Sequence, residues 1–79
     1  MNRLAVLRTM NGLTQKDVAK AIGVTQGAIS AWEQGRKKPT IDKLPLLAKL
    51  YKVSEQAVLS AYMDKISKNY YYANRRKKQ

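Results

Sequence analysis

The stretch from Thr14 to Gly35, TQKDVAKAIGVTQGAISAWEQG, constrains the fold of this chain more than any other. Its pattern predicts two short helices joined by a tight turn, over about residues 15–22 and 26–34. Thr14 and Thr25 stand where a hydroxyl can accept from the free backbone N–H groups of an opening helix. Asp17 follows Thr14 at the third position, as in an approximate capping box. Gly23 falls at the junction, where a positive φ costs glycine least. Ala19, one turn earlier, is small enough to let the next helix cross closely. Val18, Ile22, Val24 and Ile29 supply a buried seam.

Two helices crossing through such a turn form a helix-turn-helix, whose second helix can enter the major groove of DNA. Composition agrees. Sixteen Lys and Arg against five Asp and Glu give a formal charge of +11, which favours a polyanionic partner. The charge is uneven: residues 1–64 carry ten basic and five acidic residues, whereas residues 65–79 carry six basic residues and no acid. With no cysteine and no histidine, thiolate zinc sites, thiol nucleophiles and the commonest general base are all unavailable. The remaining carboxylates form no tight cluster, so neither an enzyme, a metal site nor a cofactor is expected. The opening apolar run, MNRLAVLRTMNG, is too short and interrupted for a signal peptide or membrane span. The expectation is a soluble cytoplasmic, nucleoid-associated protein with no small-molecule ligand.

The rest of the chain completes an all-α reading: a compact bundle of four to five helices, with an extended fifth helix as one alternative. A first helix is expected over about residues 2–10, with Leu4, Leu7 and Val6 inward and Gly12 just past its end. GRKKPT after the helix-turn-helix reads as a loop. Pro45 limits the fourth helix. With Thr40 as N-cap the proline ring would clash one turn back, so Asp42 is expected as N-cap and regular helix from about Lys43, or a kink near Pro45. Ser54 caps a fifth helix, with Glu55 favourably placed against its positive end. Leu59, Met63, Ile66, Tyr70 and Ala73 then recur at spacings of four, three, four and three. This stripe either packs on a second subunit, through Leu59, Met63, Ile66 and Tyr70, or folds back on its own domain. The expected division is a helix-turn-helix domain over residues 1–62 and a helical extension with a basic tail over 63–79.

Leu13-Thr14-Gln15, Ala19, Gly23-Val24-Thr25-Gln26, Ile29-Ser30, Trp32-Glu33, Gly35-Arg36 and Pro39 together resemble the lambda-repressor-like (Cro- and xenobiotic-response-element-type) helix-turn-helix family of phage and bacterial regulators. The resemblance runs from about Arg3 to Leu59 and implies a dimer on a two-fold DNA operator. It also implies that Gln26 reads bases, that Gln15 binds a phosphate through its helix end and amide, and that Glu33 turns inward to pair with Arg8.

The residues support part of this independently. On a helix starting at Gln26, Ile29, Trp32 and Glu33 share the packing side, whereas Gln26, Gly27, Ser30, Ala31 and Gln34 fall on the other. A glutamine amide matches adenine N6 and N7. Ala31 offers a methyl suited to thymine, and Gly27 offers only close backbone approach. This departs from the family, which often carries long polar side chains at both positions. Base contacts are therefore expected from Gln26, Gly27, Ser30 and Ala31, sparse enough that DNA shape carries part of the specificity. Phosphate contacts are expected from Thr14, Gln15, Lys16, Thr25, Gln34, Arg36, Lys37 and Lys38. The leading reading is a sequence-specific regulator of double-stranded DNA, a phage or bacterial repressor. The alternatives are an antitoxin or protein-interaction module on the same fold, or a single-strand binder using the Tyr70–Tyr72 and arginine tail.

Overall fold

Short polar side chains set where the helices begin. A computed structural model describes residues 1–64, and within them five α-helices form. These are α1 (Leu4–Met10), α2 (Gln15–Ile22), α3 (Gln26–Glu33), α4 (Leu44–Tyr51) and α5 (Glu55–Met63), with a 3-10 turn at Ile41–Lys43 before α4. The Thr14 hydroxyl accepts from the Asp17 N–H at 3.0 Å, and the Asp17 carboxylate accepts from the Thr14 N–H at 2.9 Å, completing a capping box. Thr25 and Ser54 accept in the same way from Ala28 (3.1 Å) and Ala57 (3.0 Å).

Glycines end the two central helices. Gly23 sits at φ 76° and donates its N–H to Ala19 O, turning the chain from α2 into α3 within three residues. Gly35, also at φ 76°, closes α3: its N–H reaches Trp32 O while that of Arg36 reaches Ala31 O, the paired bonds of a Schellman turn.

Two helix starts differ from the sequence expectation. The first helix begins at Leu4 rather than residue 2, because Asn2 turns inward and its Oδ1 accepts from the Leu4 N–H at 3.1 Å. Asp42 is not the N-cap of α4. It lies inside the 3-10 turn, which takes the chain from Thr40 to a helix opening at Leu44. Pro45 then falls in the first turn of α4, where its missing N–H removes no helical bond. The Asp42 carboxyl titrates below its ordinary range, held chiefly by a hydrogen bond to Thr40. The link after α4 turns through Lys52 at φ 60°, a conformation that glycine would adopt at lower cost.

All five helices face one core. Val18 and Ile22 of α2 meet Ile29 and Trp32 of α3, while Leu47 and Tyr51 of α4 and Val58 of α5 close the other side. Leu4 of α1 is buried in the same core; Val6 is only half-buried. Full burial of side chains such as Val18 and Val58 contributes about 1.5–3 kcal/mol each. On α5 the core takes Val58 and Ala61; Leu59 is half-buried against it and Met63 is 72% exposed. The fifth helix does not run on as expected past Met63, because Asp64 leaves helical geometry at φ −92° and ψ 87°; Ile66, Tyr70 and Ala73, the rest of the expected stripe, lie outside the described residues. No described helix is long and apolar enough to cross a membrane.

Candidate nucleic-acid interface

Because α3 has one side in the core, its remaining side is presented outward. Ile29, Trp32 and Glu33 are buried, and Gln26, Gly27 and Gln34 are exposed. Trp32 is thus a packing residue, as its spacing from Ile29 predicts, and stands only 5% exposed. Ser30 is half-buried, and its hydroxyl accepts from the Gln34 amide at 2.9 Å. Its own proton stays free to donate.

Ala31 is the correction on this helix. Its side chain was expected at the base edges, but the residue is buried at 9% exposure. It sits at the border of the outward side, and the Schellman turn bonds to its carbonyl. The Arg36 and Lys37 N–H groups donate to Ala31 O at 2.9 and 3.4 Å. The outward groups that stand most open on this helix are therefore Gln26, Gly27 and the Ser30–Gln34 pair.

The end of α3 is tied down from three directions. Arg8 of α1 holds the Glu33 carboxylate with two bonds, Nε to Oε2 at 2.6 Å and Nη2 to Oε1 at 3.1 Å, and its Nη1 donates to Leu13 O. With Glu33 4% and Arg8 15% exposed at the side chain, this is a largely desolvated, two-point ion pair. The Gln15 Nε2 also donates to Glu33 Oε1, at 3.0 Å. Asn2 adds a third fastening: its N–H donates to Glu33 O at 2.8 Å and its Nδ2 to Trp32 O at 2.7 Å. Nearby, burial first and then the Glu33 charge hold the Tyr51 hydroxyl above its ordinary titration range.

Gln15 therefore differs from expectation in what it offers. Its amide faces Glu33, so an anion at this end of α2 meets the backbone N–H groups rather than a fully free glutamine side chain. Asp17 stands beside them as a carboxylate, its pKa lowered chiefly by the Thr14 backbone N–H and then by the Thr14 hydroxyl. Thr14, Lys16 and Thr25 are exposed around the two helix starts, and Arg36, Lys37 and Lys38 are exposed in the loop beyond α3. Buried Pro39 anchors the far end of that loop. The result is a polar ridge, α3, with cations in the loop after it and on α2 beside it.

Asn2 is the residue that sequence reasoning overlooked. An asparagine just ahead of the first apolar helical residue is a capping residue type, and that signal was available. Its bonds to carbonyls 30 residues away had no sequence signature.

The chain matches the helix-turn-helix family over residues 4–58, from the start of α1 to the buried Val58. It is 40% identical over 57 residues to the uncharacterized HTH-type transcriptional regulator YobD of Bacillus subtilis, a match covering 72% of this chain and 51% of YobD. The HTH-type transcriptional activator BcrR of Enterococcus faecalis is 36% identical over 58 residues, covering 73% of this chain and 28% of BcrR. An uncharacterized HTH-type transcriptional regulator of Methanocaldococcus jannaschii is 36% identical over 52 residues, covering 66% of this chain and 79% of that protein. No solved structure matches. With the caps, the glycine turn, the buried Trp32 and the Arg8–Glu33 pair all in place, this chain belongs to the lambda-repressor-like helix-turn-helix family.

Proposed function

We propose that this protein is a sequence-specific, double-stranded DNA-binding transcription regulator, a phage or bacterial repressor that inserts α3 into the major groove. One observation carries the reading: α3 keeps its apolar and charged side locked inward, while Gln26 and Gly27 are exposed on the opposite side together with the hydrogen-bonded Ser30–Gln34 pair. Gln26, at the end of the helix that leads into the groove in this motif, pairs with adenine N6 and N7. Ser30 adds one hydroxyl donor. Phosphates are held by the exposed Thr14, Lys16, Thr25, Gln34, Arg36, Lys37 and Lys38, and by the backbone N–H groups at the start of α2. So few base contacts leave part of the specificity to DNA shape.

Two copies bind successive major grooves about 34 Å apart. They meet through α5, where Leu59 and Met63, with Gln56, Ser60 and Asp64, border a shallow groove of about 500 Å³. The six basic residues among 65–79 add to the attraction for a polyanion. Selection of bound sites from a random duplex library is the direct test. The expected outcome is a two-fold sequence with half-sites one helical turn apart, bound more tightly than a scrambled duplex or a single strand at the same salt concentration. Enrichment of no duplex sequence refutes the reading, and a strict monomer on the selected site, by sedimentation across a concentration series, refutes the dimer.

A further inference from the structure

Gly27 is the one glycine in this chain whose presence the fold does not explain. Of the four glycines, Gly12, Gly23 and Gly35 have φ between 69° and 76°, where a side chain is strained. Gly27 has ordinary helical backbone within α3. Nor is it needed for packing. A Cβ built at Gly27 meets only Thr25 Oγ1, at 3.8 Å, an ordinary van der Waals contact. Glycine weakens a helix relative to alanine, so alanine would suit the free protein better. The empty volume at this exposed position lies next to Gln26, at the leading end of α3.

Resting on the DNA-reading function above, we propose that Gly27 is a steric specificity position: the space where a Cβ would stand receives the C5-methyl of a thymine. Three features support the assignment. The thymine methyl is the apolar group on the major-groove edges, so it is recognised by room and contact and needs no hydrogen-bonding partner. Gln26, one residue earlier, is suited to adenine, so adjacent positions read an A·T-containing step. Closeness also matters at Gln26, whose amide must come within about 2.9–3.0 Å of the base. A Cβ projects about 1.5 Å from Cα, a displacement large against a carbon–carbon contact of about 3.5–4.0 Å. A side chain at Gly27 therefore lifts the leading end of α3 and lengthens the Gln26 bonds together.

The test pairs a protein change with a DNA change. Binding sites are selected from a random duplex library with the wild-type chain and with Gly27→Ala, and affinities are measured by fluorescence anisotropy at one fixed salt concentration. Thermal unfolding serves as the folding control, and Gly27→Ala is expected to melt at or above the wild-type temperature. On the wild-type site, Gly27→Ala is expected to bind about tenfold more weakly, within the range of losing one good base contact. Replacing the facing thymine by uracil, which removes only the methyl, is expected to weaken wild-type binding and to restore part of the Gly27→Ala loss.

A well-folded Gly27→Ala that binds the wild-type site within a factor of two, with the same preference for thymine over uracil at every position, overturns the proposal. Equal weakening on all duplexes, independent of the methyl, overturns it as well. A wild-type chain that enriches no site at all refutes the DNA-reading function itself. Wild-type enrichment followed by an indifferent Gly27→Ala refutes only the steric role.

Discussion

The two sides of α3 and its C-cap Gln34 lie within nine residues yet are governed by different demands. The inner side is over-determined. Ile29 and Trp32 are packed into the core, and Glu33 is reached by Arg8 and Gln15 through its side chain and by Asn2 through its backbone. The outer side has almost no ties within the chain. Gln26 and Gly27 are exposed, and the Gln34–Ser30 bond is its one hydrogen bond between side chains among the described residues. The contrast teaches that the residues that hold a short helix in place can be separate from those it leaves open to solvent. A rigid inner side lets the outer side vary, because a change there leaves the helix where it was.

The largest expected effect breaks the inner side. Glu33→Ala leaves the largely buried Arg8 guanidinium without its carboxylate and is expected to cost about 3–5 kcal/mol of stability, read by urea unfolding. Arg8→Ala should cost a similar amount, and the double variant should cost much less than the sum. Additive effects below about 1 kcal/mol would mean that the pair does not hold the helix.

An intermediate effect sharpens the contrast from the outer side. Gln26→Ala is expected to stay within about 0.5 kcal/mol of wild-type stability. On the selected operator it should lose about 1–3 kcal/mol of binding, mostly through relaxed preference at one base pair per half-site. Loss of stability without loss of preference would assign Gln26 to the fold instead.

The smallest effect lies in the loop that follows. Lys38→Ala should weaken all duplexes alike and lower the slope of log affinity against log salt by about one unit. An unchanged slope removes Lys38 from the phosphate contacts.

How far the sequence alone could reach follows the same division. The caps at Thr14, Thr25 and Ser54, the turn at Gly23 and the seam through Val18 and Ile29 were legible because each depends on neighbours a few residues away. The inward side of α3 followed from helical periodicity. The Arg8–Glu33 pair came from the family resemblance, since nothing in its spacing announces it. What escaped was settled by distant or competing partners. Ala31 lies near the edge of the helical wheel, where spacing alone leaves burial open. The Gln15 amide had several acceptors open to it and takes Glu33. Asp42 was a sound capping residue type, but a 3-10 turn moved the start of α4 past it. Asn2 acts on carbonyls in the last turn of α3, a pairing that no local pattern encodes.

The short segment holding Asn2 has a second attachment: the Arg3 N–H donates to Ala61 O at 3.0 Å, and Arg3 Nε pairs with Asp64 at 3.3 Å. Translation thus supplies the brace for α3 near the start of the domain and the anchor for that brace near its end. A nascent chain that has already emerged through Gln34 still lacks the Ala61 carbonyl that seats the Asn2–Arg3 segment, so α3 gains its full support only when synthesis has passed α5.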